Sequence, residues 1–155
     1  MTKIEIREAH SGDVPAFLRV LDATGLFPSE MLPDMIAPSL AGETPDFWLT
    51  ACLEAEPVGF CFVRPEEMTD GTWNLLAIAV SPDLQRGGAG RALIAAVEER
   101  LRREGQRLLL IDTSGAPEFD GVHSFYRALG FYPESRIRDY WAAGDDKVTF
   151  SKAFA

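Results

Sequence analysis

Basic residues are in short supply: 15 Lys and Arg stand against 24 Asp and Glu, a net charge of −9 over 155 residues. That balance, with no basic stripe, argues against duplex nucleic acid as a partner. Only two cysteines occur, too few for a disulfide framework. No apolar run approaches the ~20 residues of a membrane helix. The opening Lys3-Ile4-Glu5-Ile6-Arg7 alternates polar and apolar like a strand, so no secretory leader is expected and the cytoplasm is the default location. Repeats, linkers and low-complexity tracts are missing as well. The expectation is a single domain over 1–155, with a core large enough to need no staples.

What is present reads as alternating strands and helices. A strand over Lys3–Ala9 precedes a helix capped by Asp13, with Pro15 in its first turn and a stop near Gly25. Phe27–Gly42 carries Met31, Leu32, Met35, Ile36 and Leu40 at helical spacing, which predicts an irregular helix broken by Pro33 and Pro38. Packing against a sheet is its expected role, with a lid as the other reading. Phe47–Glu54 and Val58–Arg64 follow as paired strands. A hairpin centred on Glu56–Pro57 would set Cys52 opposite Cys61. Pro57 fits badly in a primed two-residue turn, so a longer loop is expected. Both cysteines read as reduced packing residues.

The stretch that organises the chain begins at Trp73. Its run Leu75-Leu76-Ala77-Ile78-Ala79-Val80 is a buried strand, with Asn74 as the polar exception. Pro82 ends the strand, and Gln85-Arg86-Gly87-Gly88-Ala89-Gly90-Arg91 leads into a helix through Leu93, Ile94, Val97 and Leu101. On the opposite face, Glu98–Arg102 and Glu99–Arg103 stand at i,i+4. A glycine turn at a helix start leaves backbone N–H groups pointing outward, a site for phosphate or pyrophosphate. Two common phosphate loops do not fit. No lysine follows the glycines, as a Walker loop demands, and Gly88-x-Gly90 does not complete a dinucleotide fingerprint. Arg107–Asp112 is a second buried strand, so strand, helix and strand form a βαβ unit with the two strands parallel. A short helix over Gly121–Leu129 and a strand pair, Phe131–Trp141 with Lys147–Phe154, complete the chain.

Gln85-x-x-Gly88-x-Gly90 resembles the Gln/Arg-x-x-Gly-x-Gly/Ala signature of the GNAT superfamily of N-acetyltransferases, and Phe125-Tyr126-Arg127-Ala128-Leu129-Gly130-Phe131 resembles that family's Phe-Tyr-x-x-x-Gly-Phe segment. The resemblance covers nearly the whole chain and is strongest from Trp73 to Tyr132. It implies an α/β fold with a mixed, mostly antiparallel sheet of about seven strands, a central parallel βαβ pair and about four helices. It implies acetyl-CoA as co-substrate and no metal. By the same resemblance, the backbone of Ile78 and Val80 pairs with the pantetheine arm, while Gln85, Arg86, Gly87, Gly88, Ala89, Gly90 and Arg91 cradle the pyrophosphate. Tyr126 corresponds to the tyrosine that lies near the coenzyme sulfur and protonates the leaving thiolate. The asparagine that many relatives place seven residues before it is replaced by Phe119.

Acetyl transfer from a thioester to an amine sets three tasks: hold the acyl carbonyl, take a proton from the amine, and supply one to sulfur. Tyr126 is the candidate acid. For the base, many relatives carry a glutamate on the central strand, where this chain offers Asn74. An amide is no base, but it can hold a water that relays a proton. Glu66, Glu67 and Asp112 are the acidic alternatives, with solvated turn or capping roles as the plainer reading. His123 and His10 read as surface or loop histidines. Acidic residues near the cleft favour a small amine substrate, with Trp73, Tyr140 and Trp141 as a conceivable aromatic wall. The leading expectation is an N-acetyltransferase acting by direct attack in a ternary complex on a small-molecule amine, with no nucleic acid and no membrane partner and with a homodimer left open. The alternative is an acyl-CoA sensor of the same fold without turnover.

Overall fold

The computed structural model describes residues 3–85 and 87–154. The elements run β1 (Ile4–Glu8), α1 (Val14–Thr24), α2 (Leu32–Leu40), β2 (Phe47–Leu53), β3 (Glu56–Pro65), β4 (Thr72–Val80), α3 (Ala89–Arg103), β5 (Leu108–Ser114), α4 (Asp120–Ala128), β6 (Tyr132–Ala142) and β7 (Asp145–Ala153). The seven strands are ordered β1-β2-β3-β4-β5-β7-β6. The β1–β2, β2–β3, β5–β7 and β6–β7 ladders are antiparallel, and β4–β5 is parallel, as the βαβ reading requires. The chain divides into two compact units, residues 1–64 with 76–100 and residues 65–75 with 101–155.

In the first unit the core is aromatic. Phe17 of α1 stacks on Phe60 at 4.6 Å between ring centroids, and Trp48 stacks on Phe62 at 4.3 Å. Leu21, Leu32, Ile36, Ala77 and Ala79 fill the space around them. Leu32 and Ile36 place α2 firmly in this core, which supports packing as its role. The two prolines do not break that helix. Pro33 sits in its first turn, where an N–H is dispensable, and Pro38 lies inside it while Ala41 N still reaches the Ala37 carbonyl at 3.0 Å. The β2–β3 turn is tighter than the proline suggested. Leu53 pairs with Glu56, and Glu54 and Ala55 both take positive φ, 51° and 69°. Pro57 therefore falls inside β3, opposite Cys52, while Cys61 faces Leu49. The cysteines are free, buried and not cross-strand neighbours, and burial pushes the Cys61 thiol up to about 12.

Asp13 does something other than cap α1. Its side chain makes no cap bond; it accepts from Arg7 Nη1 and Nη2 at 2.7 and 2.8 Å, Thr50 Oγ1 at 2.8 Å and the His10 backbone N–H at 3.1 Å. These bonds tie β1, the entry to α1 and β2 to a single carboxylate that is 1% exposed. Glu98 also departs from expectation: it is buried, not on a solvated face of α3.

In the second unit β5 runs between its partners, with Leu109 and Ile111 fully inside. The β4–β5 ladder covers Thr72–Leu75 against Leu108–Ile111 and stops there. The β6–β7 turn is two residues long, with Gly144 at φ 81°, shorter than the five-residue loop the composition suggested. Trp73 is buried with its Nε1 donating to Gln106 Oε1 at 2.8 Å, which makes it a core residue; Tyr140 and Trp141 are exposed and meet edge to face at 4.8 Å.

Asp13 generates a pH prediction. Burial alone would raise its pKa, but the bonds from Arg7, Thr50 and His10 outweigh that and bring it from 3.8 to about 2. Because the folded value lies below the unfolded one, its stabilisation is complete above pH 4 and is lost as the pH falls from there towards 2. Asp13→Asn is expected to lower stability at pH 7 by about 2 kcal/mol and to flatten the acid limb of a melting-temperature profile recorded between pH 2 and pH 7.

Candidate active site

The first unit supplies the strand-to-helix turn. β4 ends at Val80, and the Gln85 side chain returns to the Val80 carbonyl through Nε2 at 3.1 Å. The Ala79 carbonyl leans over Gly59: a Cβ there would lie 2.8 Å from the oxygen, so β3 must carry a glycine at that point. Gly88 takes φ 93°, exposed, with nothing within 4 Å of where a Cβ would stand. The first helical bond of α3 runs from Ala92 N to the Gly88 carbonyl at 2.9 Å. The N–H groups of Ala89, Gly90 and Arg91 therefore have no intrahelical partner. They sit at the positive end of a 15-residue helix, behind an open glycine surface. A diphosphate fits there chemically, since it accepts from several N–H groups at once and gains from the dipole. The Gly87 N–H is taken inward by the Leu84 carbonyl at 3.0 Å, which removes it from the set of donors expected of the turn. Arg86 lies outside the described residues. Arg91 is exposed, and Ile78 is half-buried.

The second unit supplies a hydrogen-bonded chain of polar side chains. Asn74, on β4, donates from Nδ2 to Glu66 Oε1 at 2.8 Å and to Asp112 Oδ2 at 3.0 Å. The opposite amide orientation would set an oxygen against two carboxylates, so the donors must face them. Asp112 also accepts from Thr149 Oγ1 at 2.8 Å on its other oxygen, and Lys147 Nζ lies 3.8 Å from Oδ2. The residue placed as a lone polar exception on a buried strand thus joins two acidic candidates. Its own oxygen, Oδ1, is buried without a partner among the described residues, a state that costs about 1–3 kcal/mol. Glu67 takes no part in this chain and is exposed.

Tyr126 lies in the same unit, buried among Phe125, Phe131 and Phe150 at centroid distances of 5.6, 6.1 and 5.6 Å. Burial pushes its phenol up to about 12. It therefore holds its proton throughout the neutral range. His123, one turn earlier on α4, is not the surface histidine that its position suggested. It is buried against Phe150 at 5.4 Å, and its Nε2 lies 2.8 Å from the Ser114 carbonyl, which requires the proton on Nε2. That bond occupies the ring in holding α4 to the end of β5. Among the described residues no group of three or more His, Cys, Asp or Glu could hold a metal ion.

A strand leading through a glycine turn into the N-terminus of a helix, on a mixed sheet with a parallel β4–β5 pair, is an arrangement suited to holding the diphosphate of a coenzyme. A family model described as the acetyltransferase (GNAT) family matches residues 14–131. The chain is 32% identical over 139 residues to the aminoglycoside N(6′)-acetyltransferase type 1 of Stenotrophomonas maltophilia, covering 85% of this chain and 88% of that one. Among solved structures, a protein of Desulfovibrio desulfuricans described as a GNAT-family acetyltransferase superposes with a TM-score of 0.88 at 29% identity, over 99% of this chain and 100% of that one. The PaiA N-acetyltransferase of Thermoplasma acidophilum, solved with coenzyme A, shares the fold at a TM-score of 0.76 and 18% identity, over 98% of this chain and 99% of that one. The chain belongs to the GNAT acetyltransferase family. It is an acetyl-CoA-dependent N-acetyltransferase.

Gly88→Val tests the turn. Its Cβ meets no atom of the described residues within 4 Å, yet the side chain occupies the surface a diphosphate would approach. Coenzyme A affinity, measured by calorimetry, is expected to fall at least tenfold, while the helical circular-dichroism signal persists at a strain cost of about 1–2 kcal/mol.

Proposed function

We propose that the chain works as a single acetyltransferase domain that transfers acetyl from acetyl-CoA to a small, polycationic amine of the aminoglycoside kind, by direct attack within a ternary complex. The observation that carries this reading is the identity, over most of both chains, to a protein named as an aminoglycoside acetyltransferase. The acidic balance of the chain agrees with a cationic acceptor. The family match spans parts of both units, which supports their action as one domain. Two free buried thiols agree with a cytoplasmic setting, and no helix among the described residues is long and apolar enough to cross a membrane.

In this reading Ile78 and Val80 offer backbone groups to the pantetheine arm. Ala89, Gly90 and Arg91 bind the diphosphate through their N–H groups, with Gln85, Gly87 and Gly88 shaping the turn. Tyr126 gives its proton to the departing thiolate. A phenol that stays protonated across the neutral range is available for that step in every turnover. Asn74 contributes by fixing the carboxylates beside it, not by accepting a proton itself.

Thiol release from acetyl-CoA over a panel of amines tests the reading. Release is expected with aminoglycosides and polyamines, with intersecting initial-velocity lines; coenzyme binding without release for any acceptor would instead mark a sensor. Tyr126→Phe is expected to lower kcat about a hundredfold with coenzyme A affinity kept, and normal turnover would remove the tyrosine from the mechanism.

A further inference from the structure

Once every internal hydrogen bond around Asn74 is counted, two acceptors are left over. Asp112 is satisfied: Thr149 takes Oδ1, and Asn74 takes Oδ2 with Lys147 nearby. Glu66 gives Oε1 to Asn74, and its second oxygen, Oε2, has no partner among the described residues. Asn74 has spent both amide hydrogens on the two carboxylates and keeps a bare oxygen, although the residue is 4% exposed. Covalent geometry puts that oxygen one bond angle from the nitrogen that touches both acids. Charge leaves the same remainder. Among the described residues two carboxylates face one ammonium, that of Lys147, and the negative charge without a counterpart belongs to Glu66.

We propose that Glu66 Oε2 and Asn74 Oδ1 form the docking point for an ammonium group of the acceptor, with Asn74 as the residue that positions Glu66. This assignment rests on the acetyl-transfer reading above and names the contact that selects its substrate. A primary ammonium brings three N–H donors and one positive charge, which meets both leftover acceptors and the leftover charge together. A hydroxyl would bring a donor but leave the charge, and a carboxylate would worsen both. Polar groups arranged this way are selective, because an acceptor without the cation leaves them unpaired. Asp112 then acts from behind. Held by Thr149 and Lys147, it fixes Asn74, and Asn74 fixes Glu66.

The probe is neamine, a small aminoglycoside carrying several amino groups, titrated onto coenzyme A-saturated protein and assayed as acceptor. Glu66→Gln keeps the shape and removes the charge. It is expected to weaken neamine binding and raise the neamine KM at least tenfold, with the acetyl-CoA KM and coenzyme A affinity unchanged. Glu66→Asp should recover part of the loss, and Glu67→Gln, at the exposed neighbour, should behave as wild type. Asn74→Ala should raise the neamine KM without altering the acetyl-CoA KM. Equal neamine binding by wild type and Glu66→Gln overturns the docking point, as does wild-type protein that fails to bind neamine. Equal rises in the KM of both substrates overturn it too, since they report general damage. Failure of the acetyl-transfer reading looks different: no thiol release with any amine by wild-type protein, whatever the binding titration shows.

Discussion

The positive end of α3, where the N–H groups of Ala89, Gly90 and Arg91 precede the bond from Ala92 to the Gly88 carbonyl, is the constraint from which the proposed coenzyme side of this protein follows. A helix cannot satisfy its own first donors, and a buried strand cannot feed straight into one. Pro82 ends the ladder beyond β4, Gln85 ties the turn back to Val80, and Gly88 supplies a positive φ where a side chain would be strained. At Gly88, among the described residues, no atom lies within 4 Å of where a Cβ would stand. The positive end of α3 is thereby left for an anion from outside, and coenzyme A carries a diphosphate.

The acceptor side is organised by a different shortage. β4 offers an amide, Asn74, and no carboxylate. The carboxylates come from flanking segments, Glu66 just after β3 and Asp112 on β5, and the amide joins them. An amide between two acids is a sound arrangement, because it has two N–H donors in fixed geometry and no charge of its own. It also separates the charge that is balanced from the charge that is not, leaving Glu66 free for a substrate.

Much of this was legible in the chain itself. Helical periodicity and glycine stops marked α1, α3 and α4, the apolar run marked β4, and strand–helix–strand order required the parallel β4–β5 pair. Gln85-x-x-Gly88-x-Gly90 and the segment around Tyr126 resemble the family's signatures in the sequence alone. The misses share a cause: they depend on partners distant in sequence or on backbone states that residue type does not announce. Nothing local tells that Asp13 will bind Arg7 and Thr50 in place of the helix it precedes. Glu54 and Ala55 adopt positive φ without a glycine or asparagine, so a tight turn was hidden and the pairing of Cys52 shifted with it. Pro33 and Pro38 read as breaks, yet core contacts of Leu32 and Ile36 hold α2 together through them. The Asn74 bridge needed three strands in register and could not be read from spacing.

The most direct measurement of the central claim is a crystal structure with coenzyme A bound. The account predicts the diphosphate within hydrogen-bond distance of the Ala89, Gly90 and Arg91 N–H groups, over the open face of Gly88. A diphosphate bound to any other surface, with those N–H groups facing only water, would contradict it.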